Sequence, residues 1–532
     1  MNFLKTILVF MIFAVPVKAQ KTRIVSPPDS TYFIEIVQHL SSEKMKGREV
    51  GTVGGYLAAD FIASEMAENG LVPAGDFIML ANGTKKQTYF QEFELWKYKA
   101  TNAHLHFFEK DNDSKAASLL HYSINFDVIP CSSDIETSAE IVFAGYGLVS
   151  PDSTYNDFEG VDIKNKIVLI LNGFPGHADT NSLAWSVFGK IFAENGAKLH
   201  HKLQYASNYG ALAIIIVDAQ STGSKKDLAF SGSSLRNIVY EISGNDPESY
   251  PDFSYMLPSD SVVSCLPAFI IDSLAATYLI AGTTLNFDSI EKKINQTGRT
   301  VSYVLPEKVA KFSVEVSKES IIARNVLGMI PGIDTTSTLI TGGHYDHLGV
   351  RGEVVYFGAD DNASGAAGVL SLSKRWNQSE FQPAHNILFA CWDAEEKGLL
   401  GSEFFVDNWK FDEKEIGLYI NMDMIARSAA QDSLRRQLSI GFRKADTILF
   451  QTAIITNAIQ KDYFELDLWD VTGHSGSDYA AFIRSGVPVM TFFSGFHNDY
   501  HSPRDVHSKL DYDKMSRILR FVNDCLIDYS IK

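Results

Sequence analysis

The chain has 532 residues, 45% of them hydrophobic and 12% aromatic, and carries a net charge of −17. That length calls for two or three domains, and the composition supplies enough apolar material for packed cores, which excludes global disorder. The acidity, with no cluster of Lys and Arg anywhere, excludes a nucleic-acid partner.

In chain order, Met1–Gln20 comes first, with Lys5, an apolar run from Ile7 to Val17, and small residues around a cut after Ala19. This is the order of a secretory signal, and the run is well short of the ~20 residues a membrane span needs. The reading is an exported, soluble protein, periplasmic or secreted. Cys131, Cys265, Cys391 and Cys525 are too few and too scattered for a disulfide scaffold. Cys391 sits in an apolar run and reads as a core thiol, while pairing of Cys131 with Cys265 stays open.

Ile34, Ile36, Val37 and Leu40 predict a first helix, and Leu57, Ala58, Phe61, Ile62 and Met66 a second, with Gly70 as its stop. The glycine-punctuated loop Gly47–Thr52 between them lacks the strand and lysine of a phosphate-cradling loop. Alternation at Ala103, Leu105 and Phe107, then at Ile124, Phe126 and Val128, predicts strands. From Ala139 the chain changes character, with apolar strands at 141–144, 166–171, 211–217 and 266–271. His177, Asp179, His200 and His201 are scattered among polar residues of this block and read as solvated surface. The block carries no cluster of catalytic residue types and reads as a separate module.

Beyond it, four apolar runs each lead into a polar phrase: Gly343-His344-Tyr345-Asp346-His347, Gly358-Ala359-Asp360-Asp361-Asn362-Ala363-Ser364-Gly365, Trp392-Asp393-Ala394-Glu395-Glu396-Lys397-Gly398 and Asn421-Met422-Asp423-Met424. A later run, Val487–Phe493, leads towards Tyr500 and His501. Strands alternating with helices predict an α/β fold with a mostly parallel sheet flanked by helices on both faces, and such sheets place their sites at strand C-terminal ends.

His344, Asp361, Glu396, Asp423 and His501 form a set of imidazoles and carboxylates suited to two zinc ions, with one carboxylate shared between them. Asp346, two residues past His344, is placed to orient an imidazole. Glu395 beside Glu396 leaves one carboxylate free to take a proton from water and return it to a leaving amine. His347 and His497 compete as ligands, since each lies close to a preferred one. His385 and His474 read as structural or surface residues.

These phrases, together with Ala-Glu-Glu-x-Gly-Leu-x-Gly-Ser and Tyr-His-Ser-Pro-x-Asp, resemble in order the motifs of the M28 zinc peptidases, the aminopeptidase and glutamate-carboxypeptidase-like group. The resemblance implies His344 and Asp423 on one zinc ion, Glu396 and His501 on the other, and Asp361 bridging. It implies Glu395 as general base, Asp346 as orienter, and Tyr500 as a hydroxyl donor to the tetrahedral oxyanion. Ser477-Asp478-Tyr479 departs from relatives that carry histidine at the third position, which bears on pocket shape and on none of the ligands.

The organisation that follows is a signal peptide at 1–19, a peptidase domain at 20–134 and 302–532, and an inserted module at 135–301 resembling a protease-associated (PA) domain. The expected activity is removal of N-terminal residues from peptides or small proteins. A carboxypeptidase or dipeptidase on the same scaffold is the nearest alternative, ahead of a glutaminyl-cyclase-like acyltransferase with one zinc ion or a non-catalytic binding protein.

Overall fold

A computed structural model describes residues 25–110, 120–122, 125–129, 134–150, 152–189, 191–192, 199–217, 253–258, 266–409, 415–460, 462–472, 474 and 476–530. The leader at 1–19 and the cysteines at 131 and 265 lie outside the described residues. The chain divides into two compact units, Met1–Glu94 with Ile321–Lys532, and Leu95–Ser320.

In the first unit the strands Val489–Phe493, Glu415–Met422, Asp334–His344 and His385–Trp392 lie side by side and parallel. Antiparallel ladders close this block on either side, to Gln437–Phe442 and to Val326–Ile330 at the end of the strand Ser302–Ile330. Successive residues of a strand point to opposite faces, so each run must satisfy two cores. Ile387, Phe389 and Cys391 pack with the helices Ser30–Leu40, Val53–Glu68, Gly365–Gln378 and Tyr512–Ser530. Leu388, Ala390 and Trp392 pack on the other face with Phe405, Val406 and Phe482, from the helices Leu400–Asp407 and Tyr479–Arg484. Each such side chain removed from water contributes about 1.5–3 kcal/mol, which explains why these strands are continuously apolar. Cys391 is a free, buried core thiol.

The second unit has its own parallel ladder, Ile135–Ala144, Ile167–Leu171, Ala213–Val217 and Ala268–Ile271, with Phe126–Ile129 antiparallel at the edge. Ala103, Leu105, Phe107, Phe312 and Val314 belong to this unit's core. Its extent therefore follows the long strands Phe90–Glu109 and Ser302–Ile330 beyond the change of character visible at Ala139. Here His177 packs edge-on against Tyr146, and the buried Lys202 donates to the Gly173 carbonyl at 2.7 Å. Among the described residues no helix is long and apolar enough to cross a membrane.

Candidate metal centre

The parallel block sets its strand ends next to one another, and the polar phrases leave from those ends. His344 is the last residue of Asp334–His344 and lies in register with Trp392, while Gly342 is in register with Asn421. Glu395 and Glu396 follow the strand ending at Trp392, and Asp423 follows the strand ending at Met422. Asp361 comes from the short turn Ala359–Ser364 that opens the helix Gly365–Gln378. Ala394, Met424 and His501 all adopt left-handed backbone, with φ of +58°, +53° and +50°. Such conformations cost non-glycine residues of order 1–3 kcal/mol and cluster at functional sites.

His344, Asp361 and Asp423 converge: the His344 Nε2 atom is 3.4 Å from Asp361 Oδ1 and 3.4 Å from Asp423 Oδ1. On the other side of Asp361, His501 Nε2 is 3.1 Å from Asp361 Oδ2 and 3.3 Å from Glu396 Oε2. Two ligands held tetrahedrally at zinc's ordinary bond lengths stand about 3.3–3.5 Å apart. His344 Nε2, Asp361 Oδ2 and Asp423 Oδ1 are also buried without hydrogen-bond partners, a state that costs free energy unless another group satisfies them. Spacing, orphaned lone pairs and charge all fit divalent cations. Glu395 stands beside this set, its Oε2 3.7 Å from His344 Nε2.

The groups beneath are equally specific. The His344 Nδ1 atom hydrogen-bonds the backbone carbonyl of Asp346 at 3.2 Å, while the Asp346 carboxylate is 3.7 Å from the same nitrogen. That carboxylate instead accepts the backbone N–H groups of Glu395 and Glu396, at 3.0 and 3.3 Å. Asp505 does the same for the turn bearing Asp361, accepting from the N–H groups of Asp360 and Asp361. His497 lies apart from the convergent set, against Asp360 at 3.4 Å. His385 faces Asp334, and His474 packs edge-on against Trp469.

Electrostatics follow from so many carboxylates in a buried place. Burial drives the Glu395 carboxyl well above the usual carboxylate range; His344 opposes this, and Asp423 and Glu396 reinforce it. Burial would raise Glu396 too, but His501 and the hydrogen bond from His347 hold it well below that range. Burial would lower the two imidazoles; Glu395 and Asp423 pull His344 well up, and Glu396 and Asp361 do so for His501. This is the field of a site that attracts cations.

Residues 325–525 match the model of peptidase family M28. This part of the chain belongs to that family. The M28 match lies within the first unit and contains every residue of the convergent set. Among curated proteins, leupeptin-inactivating enzyme 1 of Streptomyces exfoliatus is 31% identical over 32% of this chain and 36% of its own length. Leucine aminopeptidase 1 of Ajellomyces capsulatus is 28% identical over 43% of this chain and 59% of its own. The chain thus spans between a third and three fifths of the length of these relatives. In fold it is similar to an aminopeptidase from Aneurinibacillus sp. strain AM-1, with a TM-score of 0.56 at 18% identity over 96% of each chain. It is similar likewise to BSAP, a zinc aminopeptidase from Bacillus subtilis, with a TM-score of 0.50 at 17% identity over 95% of this chain and 96% of that one.

The M28 domain carries an open cavity of about 200 Å³ lined by Trp469, Tyr479, Phe493, Phe496 and Tyr500 together with His344, Asp361, Glu395, Asp423 and His501. Tyr500 stacks on His501 with ring centres 3.8 Å apart, and Phe496 meets Tyr500 edge-on. Burial pushes the Tyr500 phenol well up, with Asp361 and Glu396 adding to it, so its O–H remains a donor. Two further groups of residues belong to the site. Trp469 and Phe496 carry no local signal for lining a pocket. Arg48 is fully buried, and it donates to the carbonyls of Leu40, Tyr345, Phe357 and Gly358. The glycine at position 47, just before it, marked only a loop.

Proposed function

We propose that this protein is an exported, two-zinc aminopeptidase acting on peptides whose N-terminal residue is apolar. The observation that carries the reading is the charge of the cavity: its described lining contains three carboxylates and no Lys or Arg. Two zinc ions would offset those carboxylates, so the discriminating feature is that the described lining holds no Lys or Arg to pair with the C-terminal carboxylate that a carboxypeptidase recognises. The aromatic wall supports an apolar side chain at the first position, in keeping with the names of the leucine aminopeptidase relatives.

His344 and Asp423 would hold one zinc ion, Glu396 and His501 the other, with Asp361 shared between them. Bound zinc supplies Lewis acidity at the scissile carbonyl. Glu395, free of hydrogen bonds to the ligands and raised in basicity by burial, takes a proton from the attacking water and delivers it to the leaving amine. Tyr500 donates its O–H to the developing oxyanion. The wall formed by Phe493, Phe496 and Tyr479 excludes water from the bound side chain. The second unit, with its separate parallel ladder, supports the assignment of an inserted PA-like module.

The test is turnover of an amino-acid anilide panel, beside N-acetylated and C-terminally blocked peptides, with chelation and zinc re-addition. Cleavage of free-amine Leu and Phe substrates, abolished by acetylation and by chelation, is the expected result. Cleavage that requires a free C-terminus instead would overturn it.

A further inference from the structure

His347 is completely buried three residues beyond His344, and its place is defined from two directions. Its Nδ1 atom lies 2.8 Å from Glu396 Oε1 and 3.7 Å from Asp361 Oδ2. Its ring lies close against Gly358, where an added Cβ would meet His347 Cγ and Cδ2 at 2.5 Å. Gly358 has φ of +55°, a conformation other residues rarely adopt, so the surface against the ring is set by backbone. The Nε2 atom is buried and has no hydrogen-bond partner among the described residues. Among the described residues the ring's one hydrogen bond is the one to Glu396, with the Asp361 carboxylate further off at 3.7 Å.

The distances separate two roles. A pair of ligands on one tetrahedral ion stands about 3.3–3.5 Å apart, as His501 Nε2 and Glu396 Oε2 do at 3.3 Å. His347 and Glu396 are closer than that, at the length of a charge-assisted hydrogen bond. Carboxylate oxygens only accept, so the proton of this bond belongs to His347 Nδ1. The bond occupies Oε1 of Glu396 and leaves Oε2 as the atom that faces His501.

We propose that His347 is a positioning residue for the second metal site, donating Nδ1–H to Glu396 Oε1 so that Oε2 is presented beside His501 and Asp361. The role rests on the two-zinc reading above. It belongs to His347 alone among the site imidazoles, since His344 and His501 each direct Nε2 towards the carboxylates that would share an ion with them.

The experiment is zinc titration of the chelator-stripped full chain against a chromophoric competitor, with the visible spectrum of the cobalt-loaded protein recorded in parallel. Asn at this position retains a nitrogen donor near Nδ1, Phe retains the ring without a donor, and Gln moves the donor outward. His347→Asn is expected to bind the second ion within a few-fold of the unchanged protein. His347→Phe and His347→Gln are expected to weaken it ~10–100-fold, the usual cost of losing a ligand's supporting partner, with the first ion unaffected. Near-ultraviolet circular dichroism checks folding, and Gln carries the test if Phe does not fold. Equal second-site affinity in Asn, Phe and Gln variants overturns the positioning role, and so does loss of the site in all three, which would make His347 itself a ligand. An unchanged protein that takes up no second ion overturns the two-zinc reading along with this one.

Discussion

The Arg48 guanidinium donates from Nε to the carbonyl of Tyr345, 297 residues further along the chain, at 2.7 Å. The same side chain reaches the carbonyls of Phe357 and Gly358, so it ties the loop bearing His344 to the turn bearing Asp361. Its neighbour Glu49 takes Arg351 in a two-pronged pair and Lys397 at 3.1 Å, which anchors the segment after Glu396. Residues before the interrupting unit thus hold three loops that come after it.

Replacing Arg48 by Met should leave the carbonyls of Leu40, Tyr345 and Phe357 without their donor, while that of Gly358 keeps the Ala363 N–H. Each such loss costs about 1–3 kcal/mol, less where water can enter, so a total fall of roughly 3 kcal/mol or more is expected. Chemical denaturation of Arg48→Met measures it, and Arg48→Lys should recover part of the loss. A Met variant as stable as the original would mean that the buried carbonyls are satisfied in another way.

Glu395→Gln keeps the shape of the side chain and removes its proton-accepting oxygen. Zinc content should be unchanged while kcat falls ~10²–10⁴-fold, the range that general-base catalysis contributes. Metal analysis and steady-state rates on one preparation decide this, and full activity with bound metal would remove Glu395 from the mechanism.

Asp346→Asn should act on metal rather than on substrate. Both carboxylate oxygens accept N–H groups, from Glu395 and Glu396, and an amide nitrogen in one of those places cannot accept. The loop carrying Glu395 and Glu396 should loosen, with zinc affinity lower by ~10–100-fold. A competition titration reads this directly, and unchanged affinity would count against Asp346 as a support.

Asp499, two residues before His501, accepts from Arg427, Arg504 and Lys509. Burial opposes ionisation, but Lys509, Arg504 and Arg427 together hold its carboxyl well below the usual range. A carboxyl depressed in the folded state stabilises that state above the unfolded value of about 3.9 and loses this contribution as pH falls below it. Stability of the unchanged protein should therefore drop from pH 4 towards pH 2 more steeply than that of Asp499→Asn, which should already be less stable at pH 7. Denaturation midpoints across this range provide the comparison, and parallel curves would show that Asp499 adds nothing.

Much of this was legible because strand-forming residues and chemistry-bearing residues alternate in blocks. Ile387–Cys391 is buried on both faces, so it must be continuously apolar, and a pair such as Glu395-Glu396 directly after it stands out. The phrases around His344, Asp361 and Asp423 stand out for the same reason. Asp346 is only half anticipated: its proximity to His344 is visible in the spacing, but its grip on the Glu395 and Glu396 backbone depends on how two strand ends meet. Arg48, Trp469 and Phe496 have no periodic or motif signal, because burial of a loop arginine and convergence of aromatic side chains are not local properties.

The sequence by itself determined the α/β class and singled out the candidate ligand types, since hydrophobic periodicity and ligand chemistry are written residue by residue. Only the tertiary structure decided the partners: that His347 holds Glu396, that Asp346 holds two backbone N–H groups, and that Arg48 reaches Tyr345 across the interruption. Those facts depend on parallel register and close packing, which arise between segments far apart in the chain and leave no mark on any one of them.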